Sequence, residues 1–348
     1  MRSGHPGDGC SRSYRERSPG RTGQSVGSHS HDRENRTVET IEGPIEIVKS
    51  RRTIGLSLGG GGARGAAHIG VLKAFREAGI PVDRIAGTSI GAIVGAMYAA
   101  TLDPQFVEDR FRAFLQSDIF HQLGTEALQK DRDPDSFLEQ IAKKVQDRLV
   151  IMMALSRTSV IKRQRLERVI DYLLPVQTFA ELKIPLDVMV TDLVSGNNLC
   201  YQSGNLVEAV IQSSSIPGFV PPTSSNGKLL VDGGVGVPNP VPELRHKVDI
   251  VVAVDIARRN RWEGEPEQIL DIISRTEAIT SRHLNDLLLQ QADVVIRPEV
   301  LGLHWSEFGH FDQLVENGYR AGREALTSVQ KHMTVSWWNR LLFWRKTA

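Results

Sequence analysis

Residues 56–72 read LSLGGGGARGAAHIGVL. An apolar run is followed by four glycines, an arginine, one more glycine and then a helical pattern. Thr53 to Leu58 reads as a strand. Ala63 to Ala78 reads as a helix, with Ile69, Leu72 and Phe75 at helical spacing and Gly79 and Pro81 to end it. A glycine loop between a strand and a helix directs backbone N–H groups at an anion. Three anions fit in principle: a nucleotide phosphate, a dinucleotide pyrophosphate, or the transient oxyanion of an ester hydrolysis. Each implies a different protein.

Outward from this loop the chain alternates. Arg84 to Gly87 reads as a second strand, and Ile90 to Ala100 as a helix of small residues. Further strands are expected at Leu186–Thr191, Asn198–Gln202, Lys228–Val231, Ile250–Asp255 and Val294–Arg297, with a long helix over Glu267 to Gln291 between the last two. Strands alternating with helices predict a three-layer α/β/α domain with a mostly parallel central sheet. Residues 103–175 are helical and more charged. One set of apolar stripes uses Phe106, Phe111, Phe114, Leu138 and Ile141, and another uses Ile161, Leu166, Ile170 and Leu173. This stretch is expected to be a helical insertion over one end of the sheet, either a lid or acyl-binding wall or simply scaffold. The organisation predicted is a disordered tail over 1–44, a folded domain over 45–330 and an amphipathic tryptophan-rich tail over 331–348.

The loop's neighbours decide among the anions. A P-loop needs Lys and Ser/Thr directly after its last glycine, and Ala66 and Ala67 stand there instead. Gly60, Gly62 and Gly65 satisfy the dinucleotide spacing, but that fingerprint also wants an acid closing the second strand. Asp83 precedes that strand, which runs instead into Gly87-Thr88-Ser89-Ile90-Gly91. This is G-x-S-x-G between a strand and a helix, the context in which a sharp turn presents a serine nucleophile above a sheet. About 0.1 chance matches are expected in a chain of this length at ordinary Gly and Ser usage. The alternative is that Ser89 only caps the next helix. An ester attacked by Ser89 would become an oxyanion, and Gly60, Gly61 and Gly62 are placed to stabilise it with backbone donors.

A serine nucleophile needs a base. His246, His283, His304, His310 and His332 follow Ser89 in the chain, yet none sits in a short loop after a convincing strand, and His68 reads as a packing residue. Leu229-Leu230-Val231-Asp232-Gly233-Gly234 is an apolar strand ending in a tight turn that puts Asp232 at the sheet's rim. Taken alone it is as readily an ordinary turn. Asp192 and Asp255, each closing an apolar strand, are the other candidates.

The ordered set GGGARG (60–65), GTSIG (87–91) and DGG (232–234) resembles the patatin-like phospholipase family, most closely its short bacterial single-domain members. AHIGVL (67–72), LKIPL (182–186) and SSSIPGFVPP (213–222) extend the similarity over roughly residues 53–300. The resemblance implies a patatin-like fold and a Ser–Asp dyad. Ser89 is then the nucleophile and Asp232 the proton acceptor, with Gly60, Gly61 and Gly62 as the oxyanion hole. Arg64, Gly65, Gly87, Gly91, Gly233 and Gly234 are supporting positions, and Arg64 either orders the loop or favours an anionic head group. It implies no cofactor and no metal. The expected activity is hydrolysis of fatty-acyl esters of phospholipids or lysophospholipids through an acyl-enzyme. The alternative is a catalytically weak patatin-like regulatory or lipid-binding protein. An ordinary carboxyl pKa near 3.9 suits a general base poorly, so the dyad requires Asp232 to be desolvated.

Composition sets the remaining bounds. The 348 residues are 40% hydrophobic and 24% charged with a net charge of +1, which gives no electrostatic case for nucleic acid. Cys10 and Cys200 form neither a metal-ligand nor a redox spacing. With no signal-peptide pattern and no membrane-length apolar run, a cytoplasmic protein is expected, peripheral on the inner membrane where it meets lipid. Trp337, Trp338, Leu341, Trp344 and Arg345 have the amphipathic, tryptophan-rich character of an interfacial helix and are the candidate membrane contact; the alternative is a terminal helix that docks its tryptophans on its own domain.

Overall fold

All five residues of the first strand, β1 (Ile54–Leu58), are buried. A strand with no exposed face needs cover on both sides, as parallel sheets between two helical layers have. A computed structural model, describing residues 51–122, 161–259, 264–266 and 268–334 (Leu270 by its backbone only), has that arrangement. The other strands are β2 (Arg84–Thr88), β3 (Leu186–Asp192), β4 (Asn198–Tyr201), β5 (Thr223–Ser225), β6 (Lys228–Asp232), β7 (Ile250–Val254) and β8 (Val294–Ile296). Their order is β5-β6-β3-β2-β1-β7-β8, with β4 also paired to β3. β3, β2, β1, β7 and β8 run parallel; β4 and β6 are antiparallel to β3, and β5 to β6. The fold is therefore the expected three-layer α/β/α one with a mostly parallel sheet.

Among the described residues, the helices of eight residues or more are α1 (Ala66–Glu77), α2 (Ile90–Thr101), α3 (Pro104–Leu115), α4 (Arg163–Leu173), α5 (Leu206–Ser213), α6 (Ile269–Leu289) and α7 (Phe311–Met333). Alternate strand residues feed different layers. Ile54, Leu56, Leu58, Ile85, Val252 and Val254 pack with α1, α2 and α7 in the main core. Ala86, Val251 and Ala253 face the other way, onto Val241, Leu244 and Leu289. α1 and α7 approach at backbone distance: a Cβ on Gly70 would strike the Val315 carbonyl, and one on Gly318 the Ala67 carbonyl.

The expected helix from Ala63 is divided. Gly62–Gly65 forms a 3-10 turn, and α1 begins only at Ala66. Gly62 at φ 58° turns the chain there, and the Trp305 carbonyl accepts the Ala63 N–H at 2.7 Å. Of the 103–175 stretch, the described ends are α3, a short turn at Asp118–His121, and α4. Phe111, Phe114, Ile170 and Leu173 join the main core. Leu138 and Ile141, the 1–44 tail and the tryptophan-rich residues 337–345 lie outside the described residues. The parallel strands share one C-terminal edge, where ligands bind in open sheets of this kind, and the glycine loop and the elbow both lie there.

Candidate active site

Ser89 sits between β2 and α2 at φ 55° and ψ −123°, a conformation costly for a residue with a side chain. Its side chain makes no capping hydrogen bond to α2, so capping does not explain it. Close packing holds the turn. A Cβ on Gly91 would be driven into the Leu58 carbonyl, one on Gly65 into Ile90, and one on Gly87 would lie 2.6 Å from the Gly91 carbonyl oxygen. The backbone N–H of Ser89 donates to Ser213 Oγ at 2.9 Å.

β3 brings the acid to the serine. Thr88 pairs with Met189 and Asp232 with the next residue, Val190, so the end of β6 meets the end of β2 across consecutive positions of one strand. Asp232 is 6% exposed. Its Oδ1 accepts the Gly234 N–H at 2.7 Å, and its own N–H donates to the Ser215 carbonyl at 2.9 Å. Among the described residues no Lys or Arg forms an ion pair with it. Burial pushes its pKa up to about 6, opposed by hydrogen bonding from the Ser89 side chain and the Gly234 amide. The desolvation that a carboxylate base requires is present. Gly233 packs against the Met189 carbonyl, too closely for any side chain.

The glycine loop lies over the serine: a Cβ built on Gly60 would be 3.5 Å from Ser89 Cβ. The Gly60 N–H, however, donates to the Pro238 carbonyl at 2.9 Å. Gly60 is therefore removed from the expected set of oxyanion donors, because its proton is already committed. The Gly61 and Gly62 amides have no acceptor among the described residues, and Gly62 lines the same cavity as Ser89. Arg64 Nε donates to the Gly61 carbonyl at 3.0 Å, within the loop itself. Burial, with Arg258 nearby, pushes Arg64 down to about 10. His68 is fully buried, and its Nε2 bonds the Gly59 carbonyl at 2.9 Å. Burial pushes His68 down to about 4, which keeps it neutral beneath the loop.

The other candidates are otherwise engaged. Asp192 accepts from Ser195 Oγ at 2.7 Å and from the N–H groups of Leu229 and Val194, and these donors pull its pKa down to about 2. It builds the β3–β4 turn. Asp255 is bonded by Arg259, Arg297 and Asn285. Asp83 is held by Arg51 and the Ile54 N–H at the opposite end of β2, where a dinucleotide ribose could not be met. Among the described residues, no histidine lines the cavity at Ser89.

Two segments not singled out for chemistry in the sequence connect the motifs. After Asp232-Gly233-Gly234, Val237 accepts the Thr88 hydroxyl at 2.9 Å and Pro238 accepts Gly60. Asn239 joins the Ser57 hydroxyl to the Val254 carbonyl. In 213–222, Ser213 holds the Ser89 amide and Ser215 the Asp232 amide, while Ile216, Phe219 and Val220 line the cavity. The run of three serines before an apolar Pro-Gly stretch was the only local signal of this.

The cavity holds about 780 Å³ of space, its open mouth included, and Ser89 and Gly62 lie in its wall. Ile93, Phe111, Phe114, Val169 and Leu173 make it apolar, so α3 and α4 supply much of the lining. The buried Ser214 hydroxyl, also in the wall, has no hydrogen-bond partner among the described residues. A serine, a buried carboxylate, two uncommitted amides and an apolar slot are the parts needed for acyl transfer from a long-chain ester.

Comparison with known proteins gives the family. The sequence pattern described as patatin-like phospholipase matches residues 56–245. The mouse patatin-like phospholipase domain-containing protein 6 is 28% identical over 304 residues, covering 79% of this chain and 21% of its own. Lysophospholipase nte1 of Aspergillus terreus is 26% identical over 310 residues, covering 82% of this chain and 19% of its own. An NTE family protein of Mycobacterium bovis is 33% identical over 205 residues, 58% of this chain and 49% of its own. The chain thus spans about a fifth of the first two and about half of the third.

Proposed function

We propose that this chain, which belongs to the patatin-like phospholipase family, is a serine acyl hydrolase that cleaves fatty-acyl esters of phospholipids or lysophospholipids. The observation that carries the reading is Asp232, a buried carboxylate with no ion-pair partner among the described residues. It is raised to about 6 and acts on a strained serine that faces an apolar cavity.

Ser89 Oγ attacks the acyl carbonyl carbon as its proton passes to Asp232. A carboxyl near pKa 6 is mostly ionised at neutral pH, yet basic enough to take that proton in concert with attack. The Gly61 and Gly62 amides receive the oxyanion; losing one such donor typically costs about 3–4 kcal/mol of transition-state stabilisation. Arg64, through the Gly61 carbonyl, keeps both amides aimed. Collapse breaks the ester C–O bond, and the leaving alkoxide takes the proton from Asp232. Water then gives a proton to Asp232 as its oxygen attacks the acyl-enzyme; the acyl C–Oγ bond breaks, Oγ takes that proton from Asp232, and the fatty acid leaves with Ser89 and the carboxylate restored. The acyl chain lies between α3 and α4, which fits the lysophospholipase named among the relatives.

The test is labelling with a fluorophosphonate and turnover of a fatty-acyl ester by wild type, Ser89→Ala and Asp232→Asn. Wild type is expected to label and turn over, with labelling lost in Ser89→Ala. A wild type that neither labels nor turns over ends the hydrolase reading, and labelling that survives Ser89→Ala moves the site elsewhere.

A further inference from the structure

Gly62 supplies one of the two uncommitted amides, and the two peptide planes that meet at it are fixed from different places. A peptide plane carries the C=O of one residue and the N–H of the next, so a bond to either group orients both. Arg64 Nε bonds the Gly61 carbonyl at 3.0 Å, which fixes the plane that carries the Gly62 N–H. The next plane carries the Ala63 N–H, and that donates to the Trp305 carbonyl at 2.7 Å. Trp305 also stands directly against Gly62, where a Cβ would be driven into the Trp305 carbonyl and side chain. Glycine at φ 58° has little conformational preference of its own, so these neighbours aim its N–H.

Trp305 belongs to the connection between β8 and α7, well beyond residues 56–245 that match the family pattern. That connection is fastened around it. The Glu299 carbonyl accepts from Asn317 Nδ2 of α7 at 2.8 Å, Val300 and Leu303 join the main core, and Ser306 is fully buried. The Trp305 ring is only half-buried. It lines the cavity at Ser89 and meets Phe219 edge-on, with ring centroids 4.6 Å apart. Phe219 lies in the 213–222 segment that holds the Ser89 and Asp232 amides. Trp305 thus places its ring in the apolar wall and its carbonyl on the oxyanion loop. Phe308 also lines the cavity and packs edge-on against Phe120, but among the described residues it makes no hydrogen bond to the glycine loop.

We propose that Trp305 is a positioning residue that couples filling of the apolar slot to alignment of the Gly62 donor, so that acyl-chain length is read in the rate of the chemical step. The proposal rests on the acyl-hydrolase reading. A long acyl chain along the wall gives the ring partner atoms that a short one does not. The ring and the carbonyl belong to one residue, so what steadies the first steadies the second. Contact energy from carbons that do not react is then realised as orientation at the carbon that does.

The experiment follows inactivation by n-alkyl fluorophosphonates from ethyl to dodecyl, resolved into a binding constant KI and a limiting rate kinact. Wild type, Trp305→Ala, Trp305→Phe and Phe308→Ala are compared. Wild type is expected to gain about tenfold in kinact from the shortest chain to the longest, a fraction of the roughly 10²–10³ that a whole oxyanion donor supplies. Trp305→Ala should lose that gain, whereas Trp305→Phe, which keeps a ring, should retain most of it. Phe308→Ala should raise KI for the long chains and keep the gain. Hydrogen exchange of the Ala63 amide, with and without dodecanoate, reads the coupling without any chemistry. Dodecanoate should slow that exchange about tenfold in wild type and Trp305→Phe, and leave it unchanged in Trp305→Ala. A wild-type kinact that is independent of chain length overturns the proposal. So does Trp305→Ala if it slows every chain by one common factor, as a purely structural residue would, or if it keeps the wild-type gain. A wild type that no fluorophosphonate labels defeats the hydrolase reading instead, and the exchange measurement then decides the coupling alone: equal exchange with and without dodecanoate overturns it.

Discussion

β3 has a buried carboxylate near each end, and the two are treated in opposite ways. Asp187, near its start, is fully buried and receives both Nε and Nη2 of Arg84, at 3.0 and 2.5 Å, and Lys247 Nζ at 2.9 Å. Asp232, opposite Val190 near its end, has a backbone amide and a hydroxyl but, among the described residues, no ion pair. Two cations pair with the first, and the cluster ties β2, β3 and the chain before β7 together. The second is left desolvated, and the fold bears that charge at a cost. The contrast distinguishes a carboxylate used for structure from one available to chemistry, where two aspartates of similar burial look alike in sequence.

Neutralising each acid should sharpen the contrast most. Asp232→Asn is expected to lower kcat/KM on a soluble ester by roughly 10³–10⁴-fold, as removal of a catalytic acid or base does in serine hydrolases. The same change should raise stability. A folded-state pKa lifted from 3.8 to about 6 means that the folded chain holds the extra proton. That contribution is full below about pH 4 and is lost as pH rises through 6, leaving the ionised carboxylate about 3 kcal/mol unfavourable at neutral pH. Asparagine removes that penalty, so the melting temperature at pH 7.5 should rise by a few degrees. Asp187→Asn should do the reverse: about 3 kcal/mol of stability lost by breaking a buried pair, with turnover per folded molecule unchanged. A denaturant titration and an active-site titration on each variant suffice. If Asp232→Asn destabilises as Asp187→Asn does, Asp232 is structural and the comparison fails.

The pH profile gives a smaller effect from the same source. kcat/KM on a soluble ester should be level above about pH 6 and fall about tenfold per unit below it, as Asp232 takes up its proton. Over the same range the stability difference between wild type and Asp232→Asn should shrink as pH falls. A profile with no inflection near 6 would place the base elsewhere.

Much of this arrangement could be read from the sequence because parallel strands buried on both faces leave near-continuous apolar runs. β1, β3 and β7 were recognisable for that reason, and their observed ends differ from expectation by a residue. β5 was not, being three polar residues, Thr-Ser-Ser, at the sheet's edge. α7 was not named among the expected helices; on its buried face Gly318 and Gly322 stand where large side chains would keep α1 from approaching. At the candidate site, the local motifs revealed Ser89 and Asp232. Which glycine amides are uncommitted depends on Pro238, 178 positions from Gly60, and no local pattern encodes that bond. The desolvation of Asp232 is likewise a property of what packs on it.

Ser213 makes the finest test, because it touches the serine only through the backbone. Its hydroxyl is buried and accepts the Ser89 N–H, helping to hold a side-chain-bearing residue at φ 55°. Ser213→Ala leaves that buried N–H without its acceptor, a loss of about 1–3 kcal/mol. If the bond holds the elbow in its attacking geometry, kcat and the rate of fluorophosphonate labelling should fall together, roughly tenfold, with KM unchanged. A variant that melts earlier but labels at the wild-type rate would show that Gly91 against the Leu58 carbonyl is enough to keep the turn. Ser213 would then be packing rather than a positioning residue, and the strain at Ser89 would belong to the sheet alone.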